Sequence, residues 1–255
     1  MKTTFNKTIS VLLSLLMLLS VFGGAGLQAF AAEERVMFLE ADGSQRWVYD
    51  PIGMNDSTYE LVGGEDGTRW YVTGSYVSPN EGLYATLHHG VTVRGDVSLI
   101  IRDNLHLTIE GGIYVAENSK LTVYGQSNAP NGVNHYSTGV LNAAANDNAA
   151  GIGGKEGARG GHIVVNSGCV EAHGEDGAGI GGGYDEGSGF QSVTINGGIV
   201  RATGGAGGAG IGDGAKNTKS GGAVITVNGG DVTAYGGDGA PASAAEKTAK
   251  ARTFP

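Results

Sequence analysis

Cysteine, proline, aromatic residues and basic residues are all scarce in this sequence. A single cysteine, Cys169, among 255 residues excludes an intrachain disulfide, so the fold must depend on burial and backbone pairing. Five prolines, and no glycine at every third position, exclude collagen. The 16 Lys and Arg against 25 Asp and Glu give a net charge of -9, which disfavours nucleic acid and anionic membranes as partners because both select a basic surface.

The first 31 residues have the pattern of a secretory signal peptide. Lys2 and Lys7 precede an apolar stretch from Ile9 to Phe22, and Ala29-Phe30-Ala31 has the small-x-small pattern of a cleavage site. The apolar stretch is about fourteen residues long, shorter than the roughly 20 that a transmembrane helix needs. We therefore expect a secreted, extracellular protein with no membrane span after the signal is removed.

Residues 32–73 are predicted to form an irregular lead-in. Because an open stack of strands leaves backbone groups unpaired, this segment is expected to cap the first turn of the fold. It also contains several aromatic residues: Trp47, Tyr49, Tyr59, Trp70 and Tyr71. Aromatic rings on one exposed face would instead bind sugar rings, and Trp70 and Tyr71 are the candidates for this alternative.

Residues 74–240 contain short β-branched runs, each followed by glycine, asparagine or aspartate, which is typical of short strands joined by tight turns. From His162 onward these runs form a repeat of about thirty residues, in which Asn166, Asn196 and Asn228 lie 30 and 32 residues apart. Each copy has one strand before the asparagine and a second strand after it. A glycine-rich segment containing Ala-Gly-Ile-Gly follows in the copies of Asn166 and Asn196. A looser copy begins at Leu121.

Three short strands per repeat predict an all-β fold, a parallel β-helix in which equivalent residues of successive turns form columns about 4.8 Å apart. The expected inward columns are Ile163, Val193 and Ile225; Val165, Ile195 and Val227; Val170, Val200 and Val232; and Ile152, Ile180 and Ile211. Alternation places Thr194 and Thr226 outside, as candidate glycan-binding residues, and Cys169 outside as well. Asn166, Asn196 and Asn228 are expected at turns that favour left-handed backbone, with their side chains bonded along the stack.

The unit V-T-I-N-G-G-x-V-x-A-x-G-G, followed by G-A-G-I-G-G-G, resembles a repeat of glycine-rich right-handed parallel β-helix proteins. These proteins, also described as carbohydrate-binding-domain-like, are secreted by gut Gram-positive bacteria or attached to their surface. The resemblance covers roughly residues 70–240 and includes Trp70-Tyr71-Val72 and the run from Leu121 to Ser127. It implies a surface location and a glycan-binding or adhesive role, with glycans or host or bacterial surface proteins as partners.

Residues 241–255 depart from the repeat. After Ala240 the repeat predicts Ala-Gly-Ile-Gly-Gly, but the chain continues with Pro241-Ala242-Ser243-Ala244. The neighbouring reading frame allows a Gly-Ile-Gly-Gly-Gly run, which favours a frameshift and a longer parent protein; longer relatives carry wall-anchoring modules, so such a parent would be associated with the cell wall. A natural polar tail that caps the last turn is the alternative. An uncovered last turn would favour end-to-end self-association.

A polysaccharide-degrading enzyme, either a hydrolase or pectate-lyase-like, is the alternative to a binding module, because such enzymes use β-helices. A hydrolase needs two or three acidic groups within several ångströms. The candidate aspartates lie in glycine-rich turns, where aspartate is common for backbone reasons: Asp147, Asp176, Asp185, Asp213 and Asp238. We therefore predict a non-catalytic protein without a cofactor. Asp147, Asp176 and Asp238 form a weak candidate column for calcium, with solvated turn aspartates as the alternative.

Overall fold

The structure, a computed structural model, describes residues 34–65, 67–73, 84–127, 138–217 and 223–240. The segments assigned above to the signal peptide and to the tail lie outside these residues, so signal cleavage and the frameshift stay predictions. All the elements of regular secondary structure in the described residues are β-strands. These residues contain no helix that is long and apolar enough to span a membrane. The described residues from Val36 onward form one compact unit.

The strands of the described residues follow one another at short intervals. In chain order they are β1 (Arg35–Leu39), β2 (Gln45–Tyr49), β3 (Ile52–Gly53), β4 (Glu60–Val62), β5 (Arg69–Val72), β6 (Tyr84–Leu87), β7 (Val91–Arg94), β8 (Asp96–Ile101), β9 (His106–Glu110), β10 (Ile113–Val115), β11 (Lys120–Gly125), β12 (Val140–Ala144), β13 (Ile152–Gly153), β14 (His162–Val165), β15 (Cys169–His173), β16 (Ile180–Gly181), β17 (Ser192–Ile195), β18 (Ile199–Thr203), β19 (Ile211–Gly212), β20 (Val224–Val227) and β21 (Asp231–Tyr235).

All strands from β3 onward belong to three parallel sheets. Sheet I contains β3, β5, β8, β11, β14, β17 and β20; sheet II contains β6, β9, β12, β15, β18 and β21; sheet III contains β4, β7, β10, β13, β16 and β19. From β5 onward the chain passes through sheets I, II and III in turn, and each such pass is one rung. The fold is a right-handed parallel β-helix, which confirms the fold class predicted from the repeat.

The registers of the sheets place the predicted inward residues in columns. Ile163 pairs with Val193 and Val193 with Ile225, and the other three predicted columns have the same one-to-one pairing. Alternation along each strand turns these side chains inward, where they form one hydrophobic core. From β7 to β19 the inward apolar side chains are fully buried, whereas those of β20 and β21 are half-buried: Ile225, Val227, Val232 and Ala234.

The asparagine ladder is present, although its backbone differs from the prediction. Asn196 Nδ2 donates to Asn166 Oδ1, and Asn228 Nδ2 donates to Asn196 Oδ1, both at 2.7 Å. None of these asparagines has a positive φ; the left-handed residues are glycines two positions later, with φ between 81° and 91°. They are Gly168, Gly198 and Gly230. Glycine accepts this conformation without steric cost, so the left-handed position of each turn falls on the glycine and not on the asparagine.

Glycine also fixes the geometry of sheet III. Gly153, Gly181 and Gly212 have φ of 140°, 138° and 147°, a region that other residues rarely adopt. A Cβ on Gly153 would overlap the carbonyl oxygen of Gly181, and a Cβ on Gly181 that of Gly212. The backbone bends tightly around these strands, since the Ala150 N–H donates to the Gly154 carbonyl at 2.9 Å and the next two rungs repeat this bond.

The β-helix begins earlier than predicted. Strands β3, β4 and β5 pair within sheets I and III, so the solenoid starts at Ile52, inside the segment 32–73 that was predicted to be an irregular lead-in. The two strands β1 and β2 form a separate hairpin, closed by a bond from the Glu40 N–H to the Ser44 carbonyl at 2.9 Å.

This hairpin lies on the outer face of sheet I. The Phe38 ring centroid is 4.6 Å from that of Trp70 and 4.8 Å from that of Tyr124, and Phe38 shares a second small core with Val72 and Ile100. The Ser167 hydroxyl donates to the Leu39 carbonyl at 2.6 Å. Val72, Ile100 and Trp70 are apolar side chains on this outer face, and the hairpin packs against them.

Candidate functional site

Cys169 is buried, contrary to the prediction. Its strand register matches Ile199, as predicted, but only 1% of Cys169 is exposed, and its neighbour Val140 in the same column is also buried. Alternation along the strand therefore predicts on which face of the sheet a side chain lies, but not whether that face is exposed to solvent. Burial raises the pKa of the Cys169 thiol to about 11, and the charge of Glu171 acts in the same direction. The thiol is protonated at neutral pH and is a poor nucleophile.

Thr194 and Thr226 lie opposite each other on the outer face of sheet I. Both are half-buried, and the same column continues through Val164 and the buried Thr122. The asparagine ladder runs beside them. The two threonines thus belong to a column of small side chains that contains no aromatic ring from Thr122 to Thr226.

Tyr71 cannot bind a sugar ring, which corrects the sequence interpretation. Its side chain belongs to the core, and its hydroxyl donates to the Val62 carbonyl at 3.1 Å and accepts from the Val62 N–H at 3.0 Å. Adjacent residues of a strand face opposite sides of the sheet. Tyr71 therefore points inward and Trp70 outward.

Trp70 lines an open groove near the start of the β-helix. The groove has a volume of about 600 Å³. It is called the N-terminal groove here and is lined by Val48, Tyr49, Asp50, Ile52, Gly64, Glu65, Gly67, Thr68, Arg69 and Trp70. Trp70 packs against Phe38 and Tyr124 inside the small core, so its indole is held in place.

Aromatic and polar groups meet at the N-terminal groove. Tyr49 is 59% exposed and Trp47, on the same face of β2, is 50% exposed, while Val48 between them packs on the small core. Thr68, Glu65 and Arg69 also line the groove and supply hydrogen-bonding groups. Rigid rings beside a few polar groups are the usual composition of a small-molecule site.

A second cleft lies on the outer face of sheet III. It has a volume of about 460 Å³. It is called the Tyr114 cleft here and is lined by Gly90, Val91, Thr92, Gly111, Tyr114, Asn146, Asp147, Ala149, Ala150, Gly154, Lys155 and Glu156. Tyr114 pairs in register with Thr92 on one side and with Gly153 on the other, so the space beside its ring is left open by a glycine.

The Tyr114 cleft ends at the following rungs. There the turn after sheet II and the loop after sheet III are joined across the glycines of sheet III by backbone hydrogen bonds. The Tyr184 N–H donates to the Asn148 carbonyl at 2.9 Å, and the Ala215 N–H donates to the Asp176 carbonyl at 3.0 Å. The outer face of sheet III is therefore open at Tyr114 and bridged beyond it.

The candidate calcium column does not form. Asp147 lines the Tyr114 cleft, Asp176 lies one rung further, and Gly207 occupies the position equivalent to Asp176 in the next rung, before Asp238. Asp176 and Asp238 are thus two rungs, roughly 10 Å, apart. Among the described residues, no three His, Cys, Asp or Glu side chains converge on a position where they could hold a metal ion.

A family model described as beta helix repeat matches three segments of the chain. The matched residues are 163–184, 193–215 and 225–244. These segments are β-helix repeats. They coincide with the rungs that start at β14, β17 and β20. Searches of curated proteins and of solved structures found no significant match.

Sequence reasoning missed the Tyr114 cleft. Its walls come from three separate segments of the chain, 90–92, 111–114 and 146–156, so no single motif marks it. One signal was available, because Tyr114 follows Ile113 at the position where later copies have glycine after isoleucine. A bulky residue in a glycine column indicates a place where the surface differs from the repeat.

Proposed function

We propose that this protein is a secreted, non-catalytic module that binds glycans in the N-terminal groove. The observation that carries the proposal is the exposed ring of Tyr49, which lines a groove of about 600 Å³ together with Trp70. Soluble proteins usually bury such rings, and exposed aromatic clusters mark binding surfaces. The location outside the cell rests on the signal-peptide pattern and belongs to the same proposal.

The groove suits a sugar chain because it offers both kinds of contact that sugars use. The apolar face of a pyranose stacks on an aromatic ring, and its hydroxyl groups need donors and acceptors at the edge. Tyr49 and Trp70 supply the rings, and Thr68, Glu65 and Arg69 lie along the same groove. An open groove also accepts the interior of a polysaccharide, whose ends continue into solvent.

The proposal is tested by a glycan-array screen of the full chain, followed by titration of the best ligand. We expect saturable binding that Tyr49→Ala weakens by roughly two- to tenfold, the value of one aromatic contact. Tyr235→Ala is the matched control, because Tyr235 is 61% exposed but lies on the last described strand. Absence of saturable binding, or an equal loss in both variants, would reject the N-terminal groove as a glycan site.

A polysaccharide-degrading enzyme is the second candidate. It is favoured by one observation, the two carboxylates of Asp147 and Glu156 that line the Tyr114 cleft. A reducing-end assay on pectin and on other plant and host polysaccharides separates the two functions. Binding without product supports the module, whereas product release that Asp147→Asn abolishes would establish the enzyme.

A further inference from the structure

The Tyr114 cleft already holds a positive charge from its own chain. Lys155 Nζ lies 4.8 Å from the centroid of the Tyr114 ring, a cation–π contact. Gly153, next to Tyr114 in register, adds no side chain that could cover the ring. The ring is half-buried, and burial raises the pKa of its hydroxyl, so Tyr114 presents a neutral aromatic face.

The wall around this ring is negatively charged and held in shape. Asp147 and Glu156 line the cleft, and Lys155 is the one cationic residue that lines it. Asn148 Nδ2 donates to Glu156 Oε2 at 3.2 Å, and the Asn148 N–H donates to Glu175 Oε2 at 2.8 Å. These bonds fix the turn that carries Asp147, so the carboxylates stay in place when the lysine moves.

Lys155 itself is exposed and can leave the ring. A cation–π contact at an exposed site is weak, and the lysine side chain is flexible because it has four rotatable bonds. A cation from a ligand can therefore replace the Lys155 ammonium over the ring. We infer that the Tyr114 cleft binds a primary ammonium group of a ligand, in the position that the Lys155 ammonium occupies. This site is separate from the N-terminal groove and does not depend on the proposed function.

Two sources of a primary ammonium can be distinguished with small probes. Titration of the full chain at pH 7, followed by NMR or calorimetry, would use glucosamine and Nα-acetyl-lysine methylamide. Their N-acetylated forms are the controls, because acetylation removes the charge but keeps most of the shape. We expect at least one ammonium probe to bind and its acetylated form to bind about fivefold or more weakly. Binding of glucosamine alone assigns amino sugars, and binding of the lysine probe alone assigns peptides.

Lys155→Ala is the decisive variant, because this inference makes Lys155 a competitor. Its removal should tighten binding of the ammonium probe by about two- to fivefold, the value of an exposed cation–π contact. Tyr114→Leu and Asp147→Asn should weaken it by a similar factor. All three residues are exposed or half-buried, and an unchanged thermal unfolding midpoint checks that each variant is folded.

Several results would overturn the inference. Weaker binding of the ammonium probe by Lys155→Ala would show that the lysine supports the site and does not compete for it. Binding of galacturonate that needs Lys155 would show that the lysine contacts an anionic ligand. The lack of ammonium binding even by Lys155→Ala would remove the site altogether. Tyr49→Ala should leave ammonium binding unchanged, and Tyr114→Leu should leave glycan binding in the N-terminal groove unchanged. The two sites can therefore fail independently.

Discussion

Trp70 and Tyr71 are adjacent and chemically similar, yet they have opposite roles. Trp70 lies on the outer face of sheet I, under Phe38 and beside the N-terminal groove, whereas Tyr71 belongs to the core. The same contrast holds for Tyr114, whose neighbours Ile113 and Val115 are buried while its own ring forms a cleft floor. Position within a strand decides whether an aromatic side chain supports the fold or is available to a ligand.

The asparagine ladder can be tested at its centre. Asn196 makes two side-chain hydrogen bonds, one to Asn166 and one to Asn228, each at 2.7 Å. Asn196→Ala should lower the free energy of unfolding by about 1–2 kcal/mol, because both partners lose a bond. Asn228→Ala, at the exposed end, removes one bond and should cost less. Urea unfolding of the two variants measures the difference, and equal costs would contradict a cooperative ladder.

Because the thiol of Cys169 is buried, the free energy of unfolding should decrease as the pH becomes alkaline. The folded pKa is about 11 against a usual value of 9.0, so the unfolded chain releases the proton first as the pH rises. The stabilising contribution is complete below pH 9 and is lost between about pH 9 and 11. We therefore compare the unfolding free energy of the wild type with that of Cys169→Ala. The difference, wild type minus variant, should decrease by about 1 kcal/mol between pH 7.5 and pH 10. A difference that does not change between pH 7.5 and 10 would indicate an exposed thiol.

At the scale of the element, the strands of sheet III depend on residues without a side chain. A methyl group on Gly181 would overlap the Gly212 carbonyl, whereas a methyl group on Gly187 would meet nothing within 4 Å. Both glycines have a positive φ, of 138° and 86°. The two positions therefore separate the cost of the backbone conformation from the cost of close approach between rungs.

Gly181→Ala should be far more damaging than Gly187→Ala. We expect about 1 kcal/mol for the left-handed conformation alone at Gly187. At Gly181 the backbones of two rungs must also move apart, and the cost should be above 4 kcal/mol, the range of severe core defects. Thermal or urea unfolding measures both variants. Similar losses would mean that rungs tolerate separation and that the glycine column is not required.

The elements that sequence reasoning recovered are those with a regular period. Columns such as Val170, Val200 and Val232 follow from equal spacing, because parallel strands of identical rungs have one natural register. The hairpin of β1 and β2 has no counterpart in the repeat. Its contact with Trp70 and Tyr124 depends on which side chains the early rungs carry on their outer face. The Tyr114 cleft was missed for the same reason.

At the scale of the whole molecule, each rung pairs only with the rungs before and after it. Stability in such a stack is close to a sum of each rung and its neighbour contacts. Val200 pairs with Val170 on one side and Val232 on the other, and it is fully buried. Val232 has the same type, the same column and the same inward direction, but it is half-buried. Comparing Val200 with Val232 therefore measures how much a following rung adds to the stability that an inward valine contributes.

Val200→Ala should cost about 2 kcal/mol, because two methyl groups leave a closed core. Val232→Ala should cost less than half as much, since part of its surface already meets solvent. Urea unfolding at low protein concentration measures both. Equal costs would mean that Val232 is fully covered in solution, either by residues after 240 or by a second copy of the chain. Sedimentation at two concentrations distinguishes these, because only the second copy makes the molecular mass and the cost of Val232→Ala rise together with concentration.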